Sequence, residues 1–130
     1  MNATFTPPPM PLILIVDDSP TEVHVMQTAL QRHGFRTVAA GDGAEGVRLA
    51  REMHPDLIFM DVVMPGINGF QATRTLSNDP QTSAIPIVMV TSKGQQTDRI
   101  WGLRQGAIDY LVKPVSGNDL VEKAQAALAA

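Results

Sequence analysis

At 130 residues, 44% apolar and 18% charged, the chain is sized for one domain with a single real core and lies far from disordered compositions. A net charge of −3 without a basic stripe argues against nucleic acid as the main partner, and the lack of cysteine removes disulfides and thiolate metal sites and fits a cytoplasmic protein. No apolar run approaches the roughly 20 residues of a membrane span, and the N-terminus lacks the basic and long apolar stretches of a signal peptide.

Residues 1–10, with Pro7, Pro8 and Pro9, read as a flexible leader, and residues 11–130 as one domain. No linker, repeat or second domain is visible; taken as complete, the chain would carry no separate output module. From there strand and helix alternate five times. Strands are expected near 12–17, 36–40, 56–61, 86–91 and 108–112. The intervening stretches have helical period: Val23, Met26 and Leu30 share a face in the first, Val47 and Ala50 in the second, Ile100 and Leu103 in the fourth, Val121, Ala124 and Leu128 in the fifth. Ser19-Pro20-Thr21-Glu22 predicts a capping box with proline at the first helical position; Asn68 is expected to cap the third helix, and Ser116 with Asp119 the fifth. Gly34 and Gly106 fall where left-handed helix caps belong. This order of elements predicts right-handed βαβ crossovers and a doubly wound α/β fold with a parallel sheet covered on both faces.

The chemistry sits where the apolar runs stop. Leu12–Val16 ends in Asp17-Asp18, Leu57–Met60 in Asp61, Ile87–Val90 in Thr91, and Tyr110–Val112 in Lys113-Pro114. Buried parallel strands read as continuous apolar runs, and an open α/β sheet keeps its ligand site beyond their carboxyl ends. Three carboxylates, a hydroxyl and an ammonium are therefore expected at one edge. A hard cation such as Mg²⁺ takes carboxylate oxygens together with water and phosphate oxygens. Asp18 and Asp61 offer those carboxylates, with Asp17 acting directly or through water. One oxygen of Asp61 is left to attack phosphorus, with Lys113 to pair the incoming phosphoryl group and Thr91 to donate to it.

Asp17-Asp18, Met60-Asp61-Val62-Val63-Met64-Pro65-Gly66, Thr91-Ser92 and Tyr110-Leu111-Val112-Lys113-Pro114 together resemble the motifs of bacterial response-regulator receiver domains, the CheY-like family, over residues 11–130. The resemblance implies a flavodoxin-like fold with strand order 2-1-3-4-5. It implies phosphorylation of Asp61 by a histidine kinase of the CheA type, and Mg²⁺ held by Asp18, Asp61 and the carbonyl of Val63 with Asp17 in support. Thr91 and Tyr110 become the switch pair, and Lys113-Pro114 a cis peptide. A downstream protein would read the face of the fourth helix, fifth strand and fifth helix. The protein would be a monomer or a weak phosphorylation-dependent dimer, assisting only its own phosphorylation and slow dephosphorylation. Ser19–Glu22, Gly69–Arg74, Thr82–Pro86 and Thr97–Ala107 further resemble the stand-alone receivers of chemosensory systems that control type IV pili and twitching motility.

Other features carry blander readings. Gly41-Asp42-Gly43-Ala44-Glu45-Gly46 fits a dinucleotide fingerprint, but it lies outside the first βα turn, and a glycine-rich turn with a helix cap explains it better. His24, His33 and His54 lack metal-ligand spacing and suit surface or cap roles. Trp101 suits either the core edge or a partner contact. Val63 and Lys93, two residues after Asp61 and Thr91, flank the route of attacking water, and an apolar Val63 predicts slow self-hydrolysis. The rivals are a Mg²⁺-dependent aspartyl-phosphate phosphohydrolase, a phosphate sink for a sister regulator, and a degenerate receiver acting only as a binding module.

Overall fold

The computed structural model describes residues 10–92 and 96–129, so residues 1–9 of the leader and Lys93 lie outside the described residues. Five strands alternate with five helices: β1 (Leu12–Val16), α1 (Pro20–Arg32), β2 (Arg36–Ala40), α2 (Gly43–Met53), β3 (Leu57–Met60), α3 (Gly69–Asn78), β4 (Ile87–Thr91), α4 (Gln96–Gln105), β5 (Asp109–Val112) and α5 (Gly117–Ala129). The strands form one parallel sheet in the order β2-β1-β3-β4-β5. This is the expected flavodoxin-like order. In the sheet centre β1 and β3 are apolar throughout, and β4 up to Thr91, because both faces are covered. Leu14, Val16, Ile58, Met60, Ile87 and Met89 pack with Val47, Ala50, Ala72 and Leu76 on the α2–α3 side. Ile13, Ile15, Leu57, Phe59, Val88 and Val90 pack with Met26, Leu30, Leu120 and Val121 on the α1–α5 side. The two-residue period of each strand sorts its side chains between these layers.

The helix ends follow local rules. Asp42 caps α2 by accepting from the Glu45 N–H at 2.8 Å, which makes the glycine-rich turn a cap and no phosphate cradle. Ser116 Oγ accepts from the Asp119 N–H at the start of α5. Gly34 and Gly106 take positive φ (87° and 119°) after α1 and α4 as expected, and His54 closes α2 in the left-handed region.

Two expectations are corrected. Ile100 and Leu103 do not form the buried face of α4: they are 43% and 44% exposed, and Trp101 is 50% exposed beside them. Among the described residues of α4, Gly102 is the buried one. A Cβ at Gly102 would come within 3.2 Å of Met89, so the helix meets the sheet through its backbone and turns its large apolar side chains outward. The capping box at the start of α1 forms only by half, for a reason that lies in the site.

Candidate functional site at the carboxyl edge of the sheet

β1 and β3 are neighbours, and the Asp61 N–H donates to the Val16 carbonyl at 2.9 Å. That register brings the two acidic strand ends side by side. Asp17, Asp18 and Asp61 each offer a carboxylate oxygen, and these atoms all lie within 4.8 Å of one another. Asp17 and Asp61 are buried, while Asp18 is exposed. Three clustered hard oxygen donors fit a divalent cation of the Mg²⁺ type.

Lys113 enters from β5. Its Nζ donates to Asp17 Oδ2 at 2.8 Å and to Glu22 Oε2, and it stands 3.5 Å from Asp61 Oδ1. The Lys113 N–H donates to the Thr91 carbonyl at 2.8 Å, so the backbone ties the β5 turn to the end of β4. Lys113-Pro114 is cis, as expected. Thr91 is fully buried at the carboxyl end of β4. Tyr110, one strand over, is buried in the core against α4. Val63 is 55% exposed and lines an open cleft with Glu22, Asp61, Ser92, Lys113 and Pro114.

Packing around Asp61 fixes its backbone. Its Oδ1 accepts from the Val62 N–H at 2.9 Å. Gly69, the first residue of α3, lies so close that a Cβ there would stand 1.9 Å from the Asp61 carbonyl oxygen. Burial, followed by the charge of Asp17, pushes the Asp61 carboxyl up to about 6; the Lys113 ammonium and the Val62 N–H pull the other way without winning. For Lys113, burial alone would favour the neutral amine. Its hydrogen bonds to Asp17 and Glu22, with the charges of Asp61 and Asp17, more than offset this and hold it above the ordinary lysine range.

The structure thus brings together Asp17, Asp18, Asp61 and Lys113, sets Val63 and Pro114 on the rim of the same cleft, and puts Thr91 on the adjoining strand end with Tyr110 behind it. Sequence reasoning missed Glu22 as a partner of Lys113. Glu22 is the N3 residue of α1, where its carboxylate was expected on the Ser19 N–H. Instead the Ser19 N–H donates to Asp17 Oδ1 at 2.9 Å, and Ser19 Oγ accepts from the Glu22 N–H at 3.3 Å. No helix among the described residues is long and apolar enough to cross a membrane.

The chain is similar to known proteins in sequence and in fold. A family model described as the response regulator receiver domain matches residues 13–125. PilH of Pseudomonas aeruginosa is 54% identical over 120 residues, which are 92% of this chain and 99% of PilH. Chemotaxis protein CheY4 of Vibrio cholerae superposes with a TM-score of 0.87 at 31% identity, over 92% of this chain and 99% of that one. The receiver domain of sensor histidine kinase PA1611 from Pseudomonas aeruginosa, solved with a magnesium ion coordinated in its active site cleft, gives 0.86 at 31% identity over 93% and 99%. Of relatives described as DNA-binding response regulators, the chain spans about half the length.

Proposed function

The chain belongs to the response regulator receiver family, a family of signalling proteins, and from that premise we propose that it is a switch set by phosphorylation of Asp61 from a CheA-type histidine kinase. The observation that carries this reading is the cluster itself: three carboxylates within 4.8 Å, one of them buried beside an ammonium 3.5 Å away. Asp17, Asp18 and Asp61, with the Val63 carbonyl, would hold Mg²⁺, which supplies charge neutralisation for an anion arriving among carboxylates.

The chain's own residues do the rest. A carboxylate oxygen of Asp61 attacks phosphorus as the bond from phosphorus to the kinase histidine nitrogen breaks, and the imidazole leaves with the bonding pair. Lys113 pairs with the phosphoryl oxygens as a point charge, and the Thr91 hydroxyl donates to them. Movement of Thr91 toward the phosphoryl group opens space into which Tyr110 turns. The phosphoryl group thereby biases an existing equilibrium of the loop after Thr91 and of the face formed by α4, β5 and α5. A protein target reads that face, where Ile100, Trp101, Leu103 and Val112 are exposed. The similarity to PilH supports a place in type IV pilus and twitching-motility signalling.

Acetyl-phosphate labelling read by intact mass tests the reading. One Mg²⁺-dependent phosphoryl adduct, lost in Asp61→Asn, is expected. Steady turnover of a generic phosphate ester in place of a stoichiometric adduct would instead establish the phosphohydrolase.

A further inference from the structure

We infer that Glu22 is a positioning residue that holds Lys113 in the resting protein and must surrender it before the phosphoryl group on Asp61 can be paired. The inference rests on the phosphorylation of Asp61 proposed above.

An ammonium has three donors, and they go to the nearest acceptors. Lys113 bonds Asp17 and Glu22, and Asp61 Oδ1 at 3.5 Å lies beyond good hydrogen-bond range. Lys113 therefore rests against two carboxylates that are not the phosphoacceptor. Asp17 is buried and also fixed by the Ser19 N–H, whereas the Glu22 side chain is 45% exposed and makes no other ion pair among the described residues. Glu22 is thus the partner that Lys113 gives up more readily. It also lines the same cleft as Asp61, where its charge repels an anionic phosphoryl donor.

A second observation comes from the start of α1. At α3 the N3 side chain of Gln71 returns to the Asn68 N–H at 2.8 Å and completes a capping box. At α1 the same task is carried out by Asp17, which leaves the N3 side chain of Glu22 free to reach across to β5. The helix end loses nothing by this exchange, and the site gains a competitor for its lysine.

The test compares Glu22→Gln with Glu45→Gln. Glu45 is the N3 residue of α2; its substitution removes the same charge at an equivalent helix position but touches no lysine. With acetyl phosphate and Mg²⁺, Glu22→Gln is expected to raise the labelling rate constant about two- to fivefold, the upper range of one partly exposed ion pair, and Glu45→Gln to leave it unchanged. In ¹H–¹⁵N spectra of the unphosphorylated protein, the Lys113 ammonium signal is expected to shift and exchange faster in Glu22→Gln alone. An unchanged or slower rate with an unmoved ammonium signal would overturn the inference while leaving Asp61 phosphorylation standing. Equal acceleration in both variants would overturn it in favour of net charge. Absence of any adduct in the wild type would remove the phosphorylation reading and the role of Glu22 together.

Discussion

The starts of α1 and α3 carry nearly the same sequence signature and use it differently. At α3 the box closes in both directions: Gln71 N–H donates to Asn68 Oδ1 at 2.9 Å, and Asn68 N–H donates to Gln71 Oε1 at 2.8 Å. At α1 only the first half exists, at 3.3 Å, and the N3 carboxylate leaves for Lys113. The first residues diverge too. Pro20 is exposed at the start of α1, whereas Gly69 is buried against the backbone of Asp61. α3 is scaffold that clamps the end of the Asp61 strand, and α1 lends a side chain to the site. Local rules hold where a helix end has one task and yield where chemistry claims a residue.

Substitutions at the two helix starts sharpen the contrast, beginning with the largest effect. Gly69→Ala forces a methyl group into the Asp61 carbonyl, and denaturant unfolding is expected to show a loss of about 3 kcal/mol or more. Pro20→Ala at the same helix position is expected to change stability by less than about 0.5 kcal/mol. Comparable losses at both sites would erase the distinction between scaffold and site.

Asp61→Asn comes next, with the opposite sign. A carboxyl whose folded pKa is raised to about 6 from 3.8 costs stability once ionised. Without Mg²⁺, the variant is expected to gain about 1–2 kcal/mol at pH 7, after discounting for solvent at the open cleft. The gain is absent below the unfolded pKa, grows as pH rises from about 4 to 6, and is flat above that. Melting curves across pH measure it. A divalent cation bound among Asp17, Asp18 and Asp61 favours the ionised carboxylate, so saturating Mg²⁺ is expected to shrink this gain.

The caps separate by a smaller margin. Asn68→Ala is expected to cost about 1 kcal/mol and Ser19→Ala about half that, since Ser19 makes the longer bond and Asp17 already serves its N–H. Equal costs in chemical denaturation would mean that the half-box at α1 is as strong as the full one. Finally, Val63→Asn puts a hydrogen-bonding group on the cleft rim beside Asp61, and is expected to shorten the phosphoryl half-life about 2- to 10-fold, the rate equivalent of one hydrogen bond. An unchanged half-life by intact mass would count against the expectation that Val63 slows hydrolysis.

Much of this was legible in the sequence. All five strands were legible to within a residue at each end, most plainly β1, β3 and β4, whose continuous apolar runs follow from burial on both faces, whereas the edge strands β2 and β5 carry Arg36, Thr37 and Asp109. The polar residues that stop those runs placed Asp17, Asp18, Asp61, Thr91 and Lys113 at one edge, since parallel strands all end on the same side. α4 was misread because Ile100 and Leu103 have core spacing, and spacing cannot tell which face a helix buries when a glycine supplies the contact. The role of Glu22 was hidden for a related reason. Its local signature was already satisfied by Ser19, and its real partner lies 91 residues away in sequence. Pairing at that range is set by strand order, which local pattern does not encode.

Hydrogen–deuterium exchange on the protein with and without acetyl phosphate and Mg²⁺ tests the central claim most directly, that one edge of the sheet switches while α3 holds still. In a sample shown by mass to carry one phosphoryl group, protection is expected to change in residues 17–22, 96–105 and 109–115 and to stay constant in residues 68–79. Identical exchange in both states, or a change in residues 68–79 as large as in residues 96–105, would contradict it.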